Sequence, residues 1–596
     1  MARRPRKIKR KDSPCGDGRD SSLTPGIRPS HVVPVLAPLL WCLPGVTPRR
    51  EWTPEDSLSN RSLPWWLLSA LAAALMVVPN AAAQPGASRT NAAPPQWGQL
   101  SPGPYGVGFR LAGEYDHSRR VAPPTDFEGK AHGDPVALPI QIGVWYPMTR
   151  GSASRGMPYA EFAALGAKGS ELTPVTAAER VRAVESMRTF AGFAFGRPLP
   201  ASAMRELDTV STAAVRDATP ARGRFPVVLA ATDGSIAATT VLFEYLASQG
   251  VVVIATPSQR SYGTLQVSRP AVVVEARVRD LEYLLAHARR YAYVDTARLA
   301  VLGINFDGMA ALAFQMKNMA ARAVVSLDGW EGKTGSVGTI RSSLHYDVRR
   351  MRVPYLVVLQ DEASPPPYLT LDRSVFDGFA YSDRQWLVLN GISHAYLIGN
   401  PLVYPGVPDE RRDAYELLVR GIHGFLAAAL SDPAGPPHEV VNAQSGAGRT
   451  SPLVKEFVRH GGRAAIPDDA ELERLIMVER AADKVATILR DGKRADSAFV
   501  LFPQQTMALY AFRFSRQNDL PFAIRLLALN AEAYPQSWSA ADALGNGYRD
   551  AGDTTRAIEA YERALSLLAS PKGTAPSDAA RVRQSIEDKI ARLRSR

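Results

Sequence analysis

Six short apolar runs without polar alternation recur between residues 225 and 389, and stretches with helical spacing separate them. Their Val, Ile and Leu content is typical of strands buried on both faces of a sheet. The runs are 225–231, 251–255, 299–303, 323–327, 355–359 and 386–389. Apolar residues at helical spacing stand between the second and third runs, at Val274, Val278, Leu281 and Leu285. Strands alternating with helices imply right-handed βαβ units, so the sequence predicts a mostly parallel sheet covered on both faces.

The turn after the third run has the frame of a nucleophile elbow without its nucleophile. In the G-x-S-x-G elbow, a sharp strand-to-helix turn exposes a serine above the sheet of an α/β-hydrolase. Here the frame reads Gly303, Asn305 and Asp307, followed by Gly308. An amide replaces the serine and a carboxylate replaces the second glycine. The expected fold is therefore the α/β-hydrolase fold with an altered nucleophile position.

Five further segments occur in an order that matches one family. They are GPYGVG at 103–108, VWYP at 144–147, EYLASQG at 244–250, SLDGW at 326–330 and GISH at 391–394. Together they resemble the plasma-type platelet-activating factor acetylhydrolases, with the dienelactone hydrolases as more distant relatives. The resemblance covers about residues 103–430. It implies that Asp328 holds the position of the triad acid and His394 that of the triad histidine.

The expected site keeps the acid and the base but loses the nucleophile. In a Ser-His-Asp hydrolase the histidine takes the hydroxyl proton, and the aspartate fixes the imidazole and stabilises the imidazolium. The amide nitrogen of Asn305 cannot attack, because its lone pair is delocalised. Backbone N–H groups of Gly234 and Phe306 are the candidate oxyanion donors, while Asp233 and Asp307 are expected to place opposing carboxylates nearby. Removing Asp307 is accordingly expected to favour hydrolysis.

Each candidate residue also has a structural interpretation. A loop histidine such as His394 is often a hydrogen-bonding residue, and Asp328 can simply end a strand and cap a turn. Asp307 lies where a carboxylate interacts favourably with a helix N-terminus. Residues 361–364 follow the strand at which dienelactone-type hydrolases carry their acid, but Ser364 holds the closest position and cannot serve. Asp328 is therefore the predicted acid.

The first part of the chain has the pattern of an export signal. Residues 1–63 form a basic leader with 12 Lys or Arg against 6 Asp or Glu, and they are interpreted as sequence upstream of the real start or as an extended n-region. An apolar run inside residues 64–83, followed by small residues, predicts a secretory signal peptide. The run is too short for a membrane span. We expect a periplasmic or secreted protein with no stable membrane span after cleavage and no nucleic-acid partner, because the basic cluster lacks interleaved aromatic residues.

Cysteine and histidine usage predicts that the mature protein has no metal and no cofactor. Both cysteines, Cys15 and Cys42, lie in the leader, which excludes disulfides, thiolate metal sites and a cysteine nucleophile from the mature chain. The nine histidines include no HExxH motif, and no GxxxxGK[ST] phosphate loop is present.

Composition suggests the domain boundaries. Pro-, Ala- and Gly-rich segments predict flexible linkers at 84–102 and 431–452. Between them, residues 103–430 form the hydrolase-like domain, complete by Leu430, with an insertion at 149–224 that is interpreted as either a lid or scaffold.

Residues 453–596 predict a helical tail with tetratricopeptide-like repeats. The pattern Leu544, Tyr548, Ala557, Tyr561 and Ala564 has a partial copy 34 residues earlier. Two repeats are fewer than the three usually needed for independent stability, so we expect the tail to pack on neighbouring helices or on the hydrolase domain. Residues 505–570 are either a surface that binds a protein partner or a structural, dimerising appendage.

Three functions follow from these features. The first is a degenerate hydrolase that binds an ester or lipid-like small molecule. A second is a weak carboxylic ester hydrolase in which His394 and Asp328 activate water. The third is a protein-interaction module that acts through the repeats.

Overall fold

The computed structural model describes residues 94–121, 133–150, 156–168, 172–195, 210–232, 234–237, 239–257, 268–360, 369–390, 392–399, 402, 409–431, 439–440, 452–569 and 578–595. All of them belong to the second of two units into which the chain divides, residues 74–596. The predicted basic leader, signal peptide, Asp233 and residues 361–364 lie outside the described residues. Within the described ranges, no helix has the length and apolarity needed to cross a bilayer.

A ten-stranded sheet forms the centre of this unit. Its strands are β1 (Gly106–Val121), β2 (Val136–Met148), β3 (Ala214–Arg216), β4 (Phe225–Thr232), β5 (Val252–Pro257), β6 (Val294–Ile304), β7 (Ala323–Leu327), β8 (Tyr355–Gln360), β9 (Arg384–Leu389) and β10 (Val454–His460). Their order is β10-β9-β8-β7-β6-β4-β5-β2-β1-β3. Strands β4 to β9 are parallel, while β2 runs antiparallel to β1 and β5. This is the predicted α/β-hydrolase fold, and the prediction is confirmed.

Helices cover both faces of the sheet. They are α1 (Tyr159–Lys168), α2 (Ala177–Phe195), α3 (Thr240–Ser248), α4 (Pro270–Ala288), α5 (Asp307–Asn318), α6 (Val337–Arg341), α7 (Ser374–Gly378), α8 (His394–Leu397) and α9 (Asp409–Leu430). One core cluster contains Phe243 of α3 and Leu418 of α9, and the other contains Val278 of α4 and Leu312 of α5. Alternate residues of β4 enter opposite clusters, because successive strand side chains point to opposite faces. The continuous apolar runs are thereby explained.

Both predicted flexible linkers contain residues that are packed in the core. Trp97 is 1% exposed inside the predicted linker 84–102, and Val440 is 0% exposed inside the predicted linker 431–452. The indole N–H of Trp97 donates to Glu244, and the Val440 N–H donates to the Gln385 side chain. The flexible-linker prediction is wrong at these described positions. Composition averages over a window, so it misses a single large side chain that fills a hydrophobic site.

Glu244 joins three parts of the chain that are distant in sequence. Its buried carboxylate accepts hydrogen bonds from the Trp97 indole at 3.1 Å and from the backbone N–H groups of Ala213 and Ala214 at 3.1 and 3.3 Å. Burial raises the pKa of Glu244 from 4.5 to about 7, although these donors, with Thr212, favour the ionised form. The carboxyl group therefore resists ionisation until near neutral pH.

A pH dependence of stability follows from this shift. The folded-state pKa of Glu244 is raised, so its contribution to stability is fully present below the unfolded pKa of 4.5 and is lost as pH rises through about 7. A shift of this size corresponds to about 3 kcal/mol of unfolding free energy. The free energy of unfolding, measured with urea between about pH 4.5 and 7, should fall in the wild type and should change less in Glu244→Gln. Identical profiles would contradict the assignment.

The last strand of the sheet comes from the segment predicted to be a helical tail. Strand β10 pairs antiparallel with β9, from Val454 opposite Leu389 to His460 opposite Arg384. Phe457 packs against one core cluster and Val458 against the other. The prediction that the sheet is complete by Leu430 is therefore wrong. The run VKEFVRH mixes charged and apolar residues, and charged side chains are common on edge strands.

Two truncations test the contribution of β10. A chain ending at Gly462 keeps the strand, whereas a chain ending at Thr450 keeps the buried Val440 but loses the strand and exposes the edge of β9. Burial of the Phe457 and Val458 side chains is worth on the order of 3 kcal/mol, so we expect the shorter chain to unfold at distinctly lower urea concentration. Equal midpoints for the two truncated chains would show that β10 contributes nothing to the sheet.

The described residues of the segment predicted to be an insertion at 149–224 pack against the sheet. Its strand β3 pairs with β1 at the sheet edge, with Phe109 opposite Arg216. Its helix α1 buries Phe162, whose ring lies 4.8 Å from that of Phe109. The hydroxyl of Tyr159, at the start of α1, donates to the carbonyl of Ala237 at 3.2 Å. The described part of the insertion therefore extends the sheet and packs against the loop that follows β4.

The remaining described helices follow β10 in the chain. They are α10 (Asp469–Glu473), α11 (Ala482–Ala495), α12 (Gln504–Arg516), α13 (Leu520–Ala533), α14 (Trp538–Asp550), α15 (Thr554–Ala569) and α16 (Ala579–Arg594), with a π-helical turn at Arg474–Val478. The pair α14 and α15 begins 34 residues after the pair α12 and α13. Gly545 lets the Tyr561 ring approach the α14 backbone. The all-α region predicted after the hydrolase fold is confirmed.

Ion pairs join the start of this helical region to the hydrolase domain. The Arg352 guanidinium donates to both oxygens of Glu471, at 2.9 and 2.6 Å. Arg349 pairs with Asp469 at 2.8 Å. The start of the helical region therefore contacts the hydrolase domain, which is one of the two kinds of packing that the sequence analysis left open.

Candidate active site

A strained turn connects β6 to α5 and places Asn305 at its tip. Asn305 has φ 55°, a left-handed conformation that non-glycine residues rarely adopt. Its N–H donates to the carbonyl of Leu327 at 2.8 Å, and its carbonyl accepts from the N–H groups of Gly308 at 3.1 Å and Trp330 at 3.2 Å. A Cβ at Gly303 would collide with the backbone carbonyl of Asp307. The turn has the conformation of a nucleophile elbow, with an amide where the serine would stand.

Gly308 is required because α5 begins against a buried carboxyl group. A Cβ at Gly308 would collide with the Ser326 hydroxyl and the Glu331 carboxylate. Glu331 is 1% exposed and accepts a hydrogen bond from the Tyr355 hydroxyl at 2.9 Å. Burial raises the pKa of Glu331 above its ordinary value, despite the hydrogen bonds from Ser326 and Tyr355. The sequence analysis missed Glu331, since a lone glutamate carries no motif.

The structure brings Asp328 and His394 together. Asp328 follows β7 and is 1% exposed, and its Oδ2 lies 2.6 Å from Nδ1 of His394, at the start of α8. In the sheet, Ile304 of β6 lies opposite Leu327 of β7. Asn305 and Asp328 therefore leave neighbouring strands at the same edge. Both also have positive φ angles, 55° and 51°.

A lysine that the sequence analysis missed also binds the acid. Nζ of Lys333 lies 3.0 Å from Oδ1 of Asp328, and its side chain is 6% exposed. Burial alone would raise the pKa of Asp328, but Lys333 and His394 outweigh it and hold the pKa below its ordinary value. Asp328 is therefore ionised and fixed from two sides. The spacing of five residues from Asp328 was the only signal in the sequence, and it follows no motif.

Asp307 does not act as the free opposing carboxylate expected from the sequence. The Arg277 guanidinium donates from Nε to its Oδ1 at 2.8 Å and from Nη2 to its Oδ2 at 2.7 Å. Both side chains are essentially unexposed, at 0% and 1%. The expectation that Asp307 would oppose charge at the oxyanion position is wrong, because a bidentate guanidinium neutralises it. Its removal would leave a buried arginine without this partner.

The Arg277 pair extends into a buried ionic network. Arg277 also binds Asp280 at 2.5 Å, and Asp280 binds Arg119 at 2.7 Å. Arg119 pairs in turn with Asp116 on β1. Burial disfavours the charged guanidinium, but Asp307 and Asp280 more than compensate and raise the pKa of Arg277 above its ordinary value. The network connects the start of α5 to α4 and to strand β1.

The two candidate oxyanion donors follow the ends of two neighbouring strands, β6 and β4. Phe306 immediately precedes α5, where helical N–H groups are unpaired within the helix. Gly234 follows β4 with φ 86°, and β4 is adjacent to β6 in the sheet. A Cβ on Gly166 of α1 would collide with the Ser235 hydroxyl, so the insertion lies directly against this loop. Among the described residues, no group of three His, Cys, Asp or Glu side chains could hold a metal ion.

Comparisons with known proteins add little to this geometry. No family model matches the chain, and no curated protein matches it. One similar solved structure is a ferulic acid esterase from Streptomyces cinnamoneus, with 19% sequence identity and a TM-score of 0.37. The likeness covers 62% of this chain and 95% of that chain.

Proposed function

We propose that this protein is a degenerate α/β-hydrolase that binds an ester or lipid-like small molecule without forming an acyl-enzyme. The observation that carries the proposal is Asn305 in the strained elbow position, φ 55°, beside the intact pair of Asp328 and His394 at 2.6 Å. An amide cannot supply the nucleophile. The acid and the histidine remain available to hydrogen-bond a polar ligand group.

The geometry around the elbow supports retention of a polar binding site. Asp328 is held by both Lys333 and His394, and the elbow backbone is fixed by three hydrogen bonds. The Trp330 ring lies 5.6 Å from the Phe306 ring in an edge-on arrangement, beside the turn. An aromatic pair next to convergent polar groups is typical of small-molecule sites.

A fluorophosphonate probe and a fluorescence titration test the proposal together. The purified protein should remain unlabelled by the fluorophosphonate, since only an activated nucleophile reacts. Short-chain methyl esters should change the Trp330 fluorescence saturably without release of acid, and Trp330→Phe should lack the change. Labelling of the wild type, or stoichiometric conversion of the ester, would contradict a binding role.

The runner-up function is a weak ester hydrolase in which the pair activates water. The 2.6 Å contact between His394 and Asp328 favours it, since this arrangement orients an imidazole as a general base. Turnover of p-nitrophenyl acetate that disappears in His394→Ala but persists in Asn305→Ala would support it. Turnover unaffected by His394→Ala would exclude this mechanism.

We further propose export of the mature chain and a partner-binding role for residues 505–570. The small-residue pattern after the apolar run supports cleavage near Gln84. Leu509 and Phe512 of α12 are 59% and 62% exposed and lie three residues apart on one helix face. N-terminal sequencing of the exported protein tests the first point. Affinity capture that compares the wild type with the double variant Leu509→Glu/Phe512→Glu tests the second. Equal recovery of a partner by the two proteins would contradict it.

A further inference from the structure

We propose that Asn305 is a modification site: water activated by the pair of His394 and Asp328 hydrolyses its side-chain amide and leaves an aspartate at the elbow. The inference goes beyond ligand binding, because the amide carbon of the protein itself is the group that reacts. Ester and amide carbons are attacked by the same kind of activated oxygen nucleophile. In this site the Asn305 amide replaces the serine. The proposed substrate of the His394 base is therefore the carbonyl carbon of the protein's own side chain.

The placement of the groups supports this reaction. The Asn305 N–H bonds to the carbonyl of Leu327, the residue that precedes Asp328, and Asp328 holds the His394 imidazole at 2.6 Å. Asn305 and Asp328 directly follow the paired residues Ile304 and Leu327 of neighbouring strands, so the chain itself tethers the side-chain amide to the sheet edge that carries the base. Such tethering replaces a bimolecular encounter by an intramolecular one, which raises the effective concentration greatly.

The acid and base are prepared for water activation. Asp328 binds Nδ1 of His394, so Nε2 is the ring nitrogen left to accept a proton. Lys333 at 3.0 Å keeps the Asp328 carboxylate in place. His394 is 29% exposed, so water can reach the ring. These are the properties required of a general base in amide hydrolysis.

The step balances without any reagent except water. The water oxygen bonds to Cγ of Asn305, and its proton passes to His394. The bond between Cγ and Nδ2 then breaks, and His394 returns the proton to the leaving nitrogen, which departs as ammonia. The new carboxylic acid then gives its proton to the ammonia, so the products are ammonium and a carboxylate at residue 305, a group that itself serves as a nucleophile in some enzymes.

The common spontaneous route of asparagine deamidation is disfavoured here. That route needs the following backbone nitrogen, Phe306 N, to attack the Asn305 side chain and form a cyclic imide. Two hydrogen bonds hold the Asn305 carbonyl, and Phe306 is fixed in helical geometry with φ −53° and ψ −35°. Rotation into the imide geometry would break these contacts. Direct hydrolysis yields only aspartate, whereas the imide yields isoaspartate as well.

Peptide mapping by mass spectrometry of the full chain tests the proposal, with time points during incubation near neutral pH. We expect Asn305 to gain the single mass unit of amide-to-acid conversion, with aspartate as the sole product. Asn518 is the internal control, since it also has a positive φ, 62°, but is exposed and far from the pair in sequence. It should convert more slowly than Asn305.

Variants of the base complete the test. His394→Gln should slow conversion by about 10²-fold or more, the usual contribution of a positioned base. His394→Ala repeats the measurement in case glutamine perturbs the fold, and thermal unfolding identifies which variant is folded. No conversion at Asn305, an isoaspartate product, or an unchanged rate in the folded His394 variant would each overturn the proposal.

Discussion

Asn305→Ser is expected to turn an unreactive protein into one that a fluorophosphonate labels on the introduced serine. The elbow already has the strained conformation, and His394 with Asp328 can accept the hydroxyl proton. Loss of the serine from a complete triad costs about 10⁶ in kcat. One misplaced oxyanion donor would forfeit about 10² to 10³ of this factor. We therefore expect about a 10³-fold rise in hydrolysis of p-nitrophenyl acetate.

Asn305→Ala is the matched control, because it removes the amide without supplying a hydroxyl. It should remain unlabelled and should show no rise in ester hydrolysis. Asp307 is left unchanged in this experiment, since Arg277 needs it. A folded Asn305→Ser protein that is neither labelled nor active would show that His394 or the oxyanion donors are misplaced.

Asp307→Ala is expected to destabilise the protein by about 3 to 5 kcal/mol, because it leaves the buried Arg277 without one of its two carboxylate partners. The change should appear as a lower midpoint of urea unfolding at neutral pH. An ordinary elbow carries its second glycine at this position. Here the buried Arg277 guanidinium needs the carboxylate of Asp307, so glycine should be as destabilising as alanine.

Asp295→Ala serves as the matched control for this experiment. Asp295 also pairs with an arginine, Arg298, at 2.8 Å, but both side chains are partly exposed, at 19% and 24%. Such pairs contribute about 0 to 1 kcal/mol. Comparable losses in the two variants would show that burial of the Arg277 pair has no special weight.

The parallel core of the sheet was predictable because burial on both faces leaves a continuous apolar run. The run 323–327 matches β7 residue for residue, and 225–231 misses only the last residue of β4. The edge strands escape the same criterion. Strand β10 mixes charged and apolar residues, and β3 has only three residues. Their positions depend on pairing with distant strands, which no local pattern records.

The chain positions of the candidate site were predictable from motifs, but their partners were not. The elbow frame and the resemblance identified Asn305, Asp328 and His394. Arg277 and Lys333 lie outside the elbow frame and outside the segments that carry the resemblance. Only the folded structure shows that Arg277 pairs with Asp307 and Lys333 with Asp328. This matters for chemistry, since a free and a paired carboxylate have opposite effects on a developing anion. Catalytic use of the three positions stays a prediction.

Strand β10 is synthesised well after its neighbour β9, and this delay has a consequence for folding on the ribosome. Strand β9 ends at Leu389 and β10 begins at Val454, so 64 residues separate the two. At translation rates of about 5 to 20 residues per second, the edge of β9 stays unpaired for about 3 to 13 seconds in every nascent chain. An unpaired apolar edge is a template for association with another chain. Nascent chains stalled before residue 454 should therefore recruit chaperones that protect exposed strands, and those stalled after β10 has emerged should release them.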